Sequence, residues 1–237
     1  MTRLSVNINK IATLRNSRGG IIPSVTEAAI NCQKFGAQGI TIHPRPDQRH
    51  IRRQDVYDIK PLINTEYNIE GYPSDDFIKM VIEIGADQAT LVPDDHNQLT
   101  SDHGWDTFQH KSFLRDVISE FKENGIRTSI FVDPDVIAIE GAAEIGTDRV
   151  ELYTEPYALM YPDNPVKAIA PFIEAAKAAE ELGIGVNAGH DLNLVNLNYL
   201  YKNIPNLKEV SIGHALIADA LYIGLEQTIR KYLDCME

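Results

Sequence analysis

Short apolar segments that suit β-strands alternate with helical segments along the chain, and this alternation restricts the possible folds more than any other feature. Five predicted strands follow a helix that ends at a glycine, at Gly36, Gly85, Gly125, Gly146 and Gly183. Glycine adopts the left-handed conformation of a helix C-terminus at little steric cost. Strands separated by helices pair in parallel through crossover connections, so the pattern predicts an α/β fold.

Eight strands and eight helices are predicted. The strands cover residues 4–8, 39–42, 67–70, 89–92, 127–132, 149–153, 185–188 and 209–212. The helices cover 24–35, 54–64, 74–84, 111–124, 134–145, 165–182, 194–202 and 215–233, and residues 9–20 are predicted to form a polar loop. Eight units without an evident linker predict one domain over residues 1–237 with a (β/α)8 TIM-barrel fold. An open doubly wound sheet is the alternative, but no glycine-rich dinucleotide-binding motif follows the first strand.

The charge distribution indicates a small anionic ligand. The net charge of −12 argues against nucleic acid and anionic membranes as partners. Residues 1–53 nevertheless contain nine Lys and Arg against two Asp and Glu. A cationic segment in an otherwise acidic molecule fits a phosphorylated or carboxylated small molecule better than a polyanion.

The sequence predicts an intracellular protein. No apolar run approaches the roughly 20 residues of a membrane span, and no secretory signal precedes the first strand. Cys32 and Cys235 are the only cysteines and lack motif spacing, which favours a reducing cytoplasm, with a disulfide between them as the alternative.

The basic residues are concentrated after the second predicted strand. In the stretch 39–55, GITIHPRPDQRHIRRQD, a small apolar strand is followed by two histidines and four arginines. Pro44 and Pro46 disfavour a helix at this point. The stretch is typical of a loop that binds an anion, although an ordinary solvated basic loop has the same composition.

Polar and titratable residues follow or end nearly every predicted strand. They are Asn7, Asn9 and Lys10; His43 and Arg45; Glu70; residues 93–96; Glu151; Asn187 and His190; and Gly213 and His214. Individually, Glu70 could anchor a loop, and each histidine could be structural. Because ligand sites of TIM barrels lie at the carboxyl ends of the strands, the full set predicts one common site.

The predicted chemistry is acid–base catalysis on a phosphorylated substrate. Burial in a barrel mouth raises the pKa of a carboxyl such as Glu70, and histidine exchanges protons near neutral pH. The Gly213-His214 step begins a predicted helix, whose backbone N–H groups could bind phosphate. Arginines in the first two loops offer paired donors to the same kind of group.

Residues 93–110 form the longest irregular stretch after a strand and could act as a mobile lid or as a plain surface loop. His96, His103 and His110 recur at intervals of seven within it. Without cysteine or an HxxxH spacing, this trio does not predict a metal site.

Several motifs closely resemble those of the pyridoxine 5'-phosphate synthase family. They are VNINKIATLRNSRGG (6–20), GITIHPRPDQRHI (39–51), NIE (68–70), LVPDDHNQLTSDHGW (91–105), VNAGH (186–190) and SIGHALI (211–217). The resemblance runs from residue 4 to about residue 225, with the motifs in order.

The resemblance implies a TIM barrel with extra helices, assembled as a homo-octamer in the bacterial cytoplasm. It implies the condensation of 3-amino-1-hydroxyacetone 1-phosphate with 1-deoxy-D-xylulose 5-phosphate to pyridoxine 5'-phosphate, phosphate and water. It also implies that neither a metal nor an organic cofactor takes part.

The resemblance further implies individual roles for residues of this chain. His43 and Glu70 correspond to proton acceptors and His190 to a proton donor, with Glu151 as a weaker, supporting candidate. The amino-ketone phosphate would be bound by Asn7, Arg18, Gly213 and His214. The pentulose phosphate would be bound by Asn9, Lys10, Arg45, His50 and Thr100, beneath a closing 93–105 loop.

Two positions depart from the usual pattern of the family. Asn9-Lys10 stands where Asp-His is common, which makes that part of the site more positive. Asp191 follows the donor histidine where glycine is common, and its carboxylate would be unfavourable beside a phosphate unless it points away. Both departures affect residues that would contact the substrates, and Asp191 counts as one of these substrate-binding residues. Neither departure changes the implied reaction.

Two other classes of function are compatible with these residues. A metal-dependent phosphosugar isomerase or aldolase could use His43, Glu70, His190 and His214 as ligands. A non-catalytic phosphosugar-binding assembly protein would bind both substrates without turnover.

Overall fold

The computed structural model describes residues 1–94 and 101–237, and its eight strands form one closed parallel barrel. The strands are β1 (Arg3–Asn7), β2 (Gly39–Ile42), β3 (Glu66–Gly71), β4 (Gln88–Leu91), β5 (Arg127–Val132), β6 (Arg149–Tyr153), β7 (Gly185–Gly189) and β8 (Leu207–Ile212). Each strand pairs in parallel with the next, and β8 pairs with β1, so the predicted TIM barrel is confirmed.

The helices surround this barrel. They are α1 (Asn9–Asn16), α2 (Val25–Lys34), α3 (Arg53–Ile59), α4 (Asp75–Ile84), α5 (Lys111–Glu123), α6 (Val136–Ile145), α7 (Glu155–Met160), α8 (Pro165–Glu181), α9 (Leu197–Asn203), α10 (His214–Ile223) and α11 (Leu225–Asp234). The five predicted glycines follow α2, α4, α5, α6 and α8 and all have positive φ. In the part of the chain that is described, no helix combines the length and the apolar character needed to cross a membrane.

Residues 9–20 were wrongly predicted to form only a loop, because α1 begins directly after β1. The buried face of α1 consists of Ala12 and Arg15, so a charged side chain occupies a core position. The Arg15 guanidinium donates to both carboxylate oxygens of Asp55 on α3, at 2.6 and 2.8 Å. The sequence does not show the helical periodicity of α1, because one of the two buried positions of this helix is an arginine.

Two predicted helices are divided by local backbone constraints. The predicted helix 215–233 is two helices, since Gly224 takes φ +82° and ψ 147° between α10 and α11. The predicted helix 54–64 ends as an α-helix at Ile59 and continues as a 3-10 turn over Lys60–Leu62. Pro61 lacks an N–H for an α-helical hydrogen bond, which favours this change.

The remaining differences concern short helices. Helix α7 was not predicted, and α9 begins at Leu197 instead of residue 194. Before α9, Asn193 and Asn196 exchange hydrogen bonds that shape a turn: the Asn193 N–H donates to Asn196 Oδ1 at 2.8 Å. Local side-chain bonds of this kind compete with the helix.

Strand residues alternate between an apolar outer layer and a polar interior. Side chains such as Val6, Ile40 and Ile69 are fully buried in the main hydrophobic core. The alternating residues hydrogen-bond to one another: Thr90 Oγ1 donates to Asn68 Oδ1 at 3.0 Å, and Asn68 Nδ2 donates to Thr41 Oγ1 at 3.3 Å. TIM-barrel interiors are more often filled by branched apolar side chains.

The amino ends of the strands carry a network of ion pairs. The Glu66 carboxylate is paired with both Arg3 and Arg127, and Arg149 lies 3.6 Å from Glu209. These contacts join β1, β3 and β5, and separately β6 and β8, at the end of the barrel opposite the carboxyl ends.

Candidate active site

A cavity of about 510 Å³ lies at the carboxyl ends of the strands and contains most of the predicted site residues. Those that line it are Asn7, Asn9, Lys10, His43, Arg45, His50, Glu70, His190, Asp191, Gly213 and His214. They come from β1, β2, β3, β7 and β8 and from the segments that follow them. Parallel strands bring these distant parts of the sequence to one mouth.

Among the described residues, the predicted site residues Arg18, Glu151 and Asn187 do not line this cavity. Arg18 is exposed on the segment after α1 and does not line the cavity. Glu151 is fully buried in β6, behind His190. Thr100 and His96, with the rest of 95–100, lie outside the described residues, so the proposed lid over 93–110 stays a prediction.

Glu70 is almost fully buried near the end of β3, at 1% exposure. Asn7 Nδ2 donates to its Oε2 atom at 3.4 Å, while Oε1 has no hydrogen-bond partner in the described part of the chain. Burial raises the pKa of Glu70 to about 8, and the charges of Asp94 and Glu209 act in the same direction. A carboxyl with such a pKa exchanges protons efficiently near neutral pH.

His43 follows β2 and is positioned by its backbone. Its N–H donates to Asn9 Oδ1 at 2.9 Å, so the first turn of α1 is tied to the end of β2. Burial lowers the pKa of His43 well below its usual value, and the nearby charges of Arg45 and His50 lower it further. His43 is therefore a neutral imidazole at neutral pH and can accept a proton.

His190 has an unusual backbone conformation, with φ +68°. A non-glycine residue in this region is strained, and such strain is concentrated at functional sites. Its ring stands edge-on to Phe131, with 5.2 Å between ring centroids, and its Nδ1 atom is 3.7 Å from Glu151 Oε1. Burial lowers the pKa of His190 to about 4, and the Arg45 charge contributes.

The environment of Glu151 favours the protonated form of its carboxyl group. Burial raises its pKa well above the usual value, and the nearby Glu70 carboxyl raises it further. Within residues 1–94 and 101–237, both carboxyl oxygens of Glu151 and Nδ1 of His190 lack hydrogen-bond partners. A proton on Glu151 therefore faces an imidazole nitrogen that can accept it.

The start of α10 provides backbone donors to the cavity. Gly213 and His214 line the cavity, and no side chain caps this helix end. A Cβ atom at Gly213 would lie 3.1 Å from atoms of Asn7, so glycine permits the close approach of α10 to β1. Free N–H groups at a helix start bind phosphate.

The part of the cavity formed by the segments after β1 and β2 is basic. Lys10, Arg45, Arg49 and His50 line it, and Arg45 is also paired with Asp94 in a largely buried contact. The rings of His43 and His50 are 6.0 Å apart, centroid to centroid. Burial and the charges of Arg45 and Lys10 lower the pKa of His50 to about 4, so its ring is neutral.

The two departures from the family pattern have different surroundings. The Asn9 amide oxygen accepts a hydrogen bond that a carboxylate could accept equally, so the substitution preserves this contact. Asp191 lines the cavity with Glu155, and burial and the Glu155 charge raise the pKa of Asp191. Two carboxyl groups thus lie on the side of Gly213 and His214.

Arg49 of the basic stretch 39–55 also lines the cavity, whereas sequence reasoning missed Thr13, Ser101, Tyr153, Glu155 and Ser211. Two of them carried a signal. Tyr153 is two residues after Glu151 in β6, and Ser211 is two residues before Gly213, so a period of two predicts the same orientation. The others belong to helices and loops whose direction the pattern does not reveal.

The histidines at intervals of seven do not come together in the described residues. His103 Nδ1 is 2.7 Å from Asp102 Oδ1, whereas the His110 ring packs against Trp105 at a centroid distance of 5.2 Å. Within residues 1–94 and 101–237, no group of three or more His, Cys, Asp or Glu side chains could hold a metal ion.

Comparison with known proteins identifies the family. The family model described as "Pyridoxal phosphate biosynthesis protein PdxJ" matches residues 4–237. The chain belongs to this family. PdxJ proteins similar to it include pyridoxine 5'-phosphate synthase of Bacteroides fragilis, 65% identical over 236 residues, with 100% of both chains covered. That of Cytophaga hutchinsonii is 64% identical over 98% of both chains, and that of Porphyromonas gingivalis is 58% identical over 99% of this chain and 98% of the relative.

Solved structures of other enzymes share the fold of this PdxJ chain. 3-Keto-L-gulonate-6-phosphate decarboxylase from Vibrio cholerae has a TM-score of 0.67 at 11% identity, covering 99% of this chain and 97% of that chain. Phosphoribosyl anthranilate isomerase from Thermotoga maritima has a TM-score of 0.62 at 12% identity, covering 100% and 98%. At such low identity, the likeness concerns the barrel fold alone.

Proposed function

We propose that the chain is a pyridoxine 5'-phosphate synthase, which condenses 3-amino-1-hydroxyacetone 1-phosphate with 1-deoxy-D-xylulose 5-phosphate. The single observation that supports this most is the convergence of Glu70, His43 and His190 on one cavity between a basic wall and a free helix start. The name of the full-length relatives agrees with this chemistry.

The reaction requires several proton transfers. An amine adds to a ketone and loses water, phosphate is eliminated, and the ring closes and becomes aromatic. We assign proton acceptance to Glu70 and His43, because the pKa of Glu70 is near 8 and the His43 ring is neutral. Acid and base groups fixed around one cavity supply these transfers without rearrangement of solvent.

Proton donation is assigned to His190 with Glu151 behind it. A neutral imidazole with a pKa near 4 is a poor acid by itself. A protonated Glu151 can give its proton to Nδ1 of His190 while the opposite ring nitrogen protonates the substrate. The 3.7 Å separation of Glu151 Oε1 and His190 Nδ1 requires only a small approach for this transfer.

The two phosphates are assigned to different parts of the cavity. Asn7 and the start of α10 would bind the amino-ketone phosphate, where Asp191 and Glu155 could attract its ammonium group. Asn9, Lys10, Arg45 and His50 would bind the pentulose phosphate. The roles of Arg18 and Thr100 rest on the resemblance alone.

The oligomeric state and the cellular compartment are also proposals that rest on the resemblance to the family. We assign a homo-octamer in the cytoplasm from the resemblance to the family. Large exposed apolar side chains are compatible with contacts between copies, and they include Ile21, Ile22, Leu221 and Tyr222.

The deciding experiment is a turnover assay with both substrates, under reducing conditions and in the presence of a chelator. Pyridoxine 5'-phosphate and inorganic phosphate should form in equal amounts. Activity that disappears with the chelator and returns with a divalent ion would favour the metal-dependent isomerase or aldolase. Binding of both substrates without any product would favour the assembly protein.

A further inference from the structure

Asp94 follows β4 and forms a buried polar cluster with Arg45 and Ser101. The side chains of Asp94 and Arg45 are 4% and 7% exposed, and they form an ion pair. The Ser101 hydroxyl donates to the same carboxylate oxygen, Asp94 Oδ2, at 2.8 Å. A buried carboxylate is stable only with such partners, so its position is well defined.

The second carboxylate oxygen of Asp94 has a different environment. Asp94 Oδ1 is buried and has no hydrogen-bond partner among the residues that the structure describes. Asp94 lines a second cavity of about 300 Å³. This cavity shares His43, Arg45 and Arg49 with the active-site cavity. The charge of Asp94 therefore lies in poorly hydrated surroundings, where it acts strongly on neighbouring groups.

Glu70 is one of those neighbouring groups. Besides burial, the Asp94 charge is the strongest of the influences that raise the pKa of Glu70 to about 8. Other charged or polar groups that act on Glu70 come from several elements: Arg45 after β2, Glu209 and Ser211 in β8, and Asn7 in β1. Arg45 and Ser211 favour the ionised form, whereas the carboxyl groups oppose it.

We propose that Asp94 is a positioning residue that acts on both substrate binding and proton transfer. It holds the Arg45 guanidinium in place for the pentulose phosphate, and its charge keeps Glu70 a sufficiently strong base. This inference rests on the proposed function, because it assigns the roles of Arg45 and Glu70 in that reaction. Asp94 itself need not contact the substrates.

The test is the pH profile of kcat/KM for Asp94→Asn. Removing the Asp94 charge leaves Arg45 unneutralised near Glu70, so Glu70 should lose its proton at lower pH. The ascending limb of the profile should move down by about one pH unit. The KM for the pentulose phosphate should rise about tenfold, while that for the amino ketone should change less than about twofold.

Three further variants separate this role from loop anchoring. Asp94→Glu restores the charge and should return the limb toward its original pH. Asp133→Asn removes a carboxylate that accepts from the Gly104 N–H at 3.3 Å, in the same loop region, and should leave the limb unchanged. Ser101→Ala removes one donor to Asp94 but keeps the Asp94 charge, so the ascending limb should move less than it does in Asp94→Asn.

A double variant keeps the test decisive if Asp94→Asn fails to fold. Arg45→Met with Asp94→Asn removes the whole ion pair, which avoids a buried unpaired guanidinium. The ascending limb of the kcat/KM profile of the double variant should lie at lower pH than that of Arg45→Met alone. An unshifted limb in folded, active Asp94→Asn, or in the double variant relative to Arg45→Met, overturns the inference. If the wild-type enzyme forms no product, the proposed function itself has failed.

Discussion

Glu70 combines deep burial with a hydrogen bond to only one of its two carboxyl oxygens. Because the Glu70→Gln side chain has nearly the same shape, we expect this variant to bind both substrates with affinities within about threefold of wild type. Turnover should fall by about 10²–10⁴, the usual contribution of a positioned acid–base group. Isothermal titration and steady-state kinetics measure the two effects, and unchanged turnover would remove Glu70 from the mechanism.

The same burial makes Glu70 costly for stability. Its pKa is about 8 in the folded protein and near 4.5 in an unfolded chain, so the folded state binds the proton more tightly. Below pH 4.5, Glu70 is protonated in both the folded and the unfolded state and does not reduce the free energy of unfolding. As the pH rises from 4.5 toward 8, the unfolded state gains from ionisation of Glu70, and this part of the stability is lost. Glu70→Gln should therefore raise the free energy of unfolding at pH 8 by about 2 kcal/mol relative to wild type.

Denaturant titrations at pH 5 and pH 8 check this expectation. The difference between the two proteins should be smaller at pH 5, where the wild-type carboxyl is protonated in the folded state. An equal difference at both pH values would mean that Glu70 does not titrate in this range.

Individual site residues could be predicted only to the extent that strand ends reveal them. His43, Glu70 and His190 each follow or end an apolar strand, so their convergence follows from the parallel barrel. The Arg45–Asp94 pair could not be predicted, because many acidic residues lie within reach of a flexible arginine. Only tertiary geometry selects the partner and places both groups beside Glu70.

Helix α1 shows that a buried ion pair can replace apolar contacts at the scale of an element. We expect Arg15→Ala to destabilise the protein by about 3 kcal/mol, because Asp55 would remain buried without its partner. Arg53→Ala is the matched control, since Arg53 pairs with Asp76 across an exposed contact. It should cost less than about 1 kcal/mol.

Urea denaturation monitored by circular dichroism gives both values. Similar losses for the two variants would contradict the structural role of the Arg15–Asp55 pair. The double variant Arg15→Met with Asp55→Leu should recover part of the stability lost in Arg15→Ala, because it removes both buried charges.

The elements were predicted best where apolar periodicity and glycine endings agree. Helices α4 and α6 end at Gly85 and Gly146, where the sequence places them. Helix α1 was missed because a buried arginine interrupts its apolar face. The break at Gly224 was missed because apolar residues continue on both sides of it, so only the backbone angle reveals it.

At the scale of the whole molecule, the proposed octamer gives a direct test. Sedimentation equilibrium should give eight times the chain mass of 26.5 kDa. Leu221 and Tyr222 on α10 are 70% and 90% exposed in the single chain, which is unusual for large apolar residues. Changing both to Glu should produce smaller species, because charge would then have to be buried between copies.

Leu182→Glu is the control for this experiment. Leu182 is also exposed, at 47%, but it follows the charged end of α8, where another carboxylate should be tolerated. An octamer that persists after the change of Leu221 and Tyr222 would exclude this part of α10 from the interface. A monomeric wild-type protein would contradict the proposed assembly.

The barrel could be predicted from the sequence because the alternation of strands and helices, the glycines that end the helices and the number of units all indicate the same fold. Eight strand–helix units close one barrel, and the strand register then determines which side chains face inward. The polar interior could not be predicted from composition, since Ser, Thr and Asn in short strands are also compatible with edge strands. Their mutual hydrogen bonds exist only once the barrel closes.

Helix α1 also connects the two basic parts of the site. Asn16 Nδ2 donates to the carbonyl oxygens of Gln48, Arg49 and His50, the last at 2.7 Å, and Arg15 Nη2 donates to the His50 carbonyl at 3.2 Å. The helix that carries Lys10 is thus fastened to the loop that carries Arg45. Because these two segments are held together, the groups proposed to bind the pentulose phosphate keep a fixed spacing. A homologue of that substrate whose phosphate is displaced by a single methylene would meet these donors at the wrong distance, so selection by molecular length would need no further specificity residue.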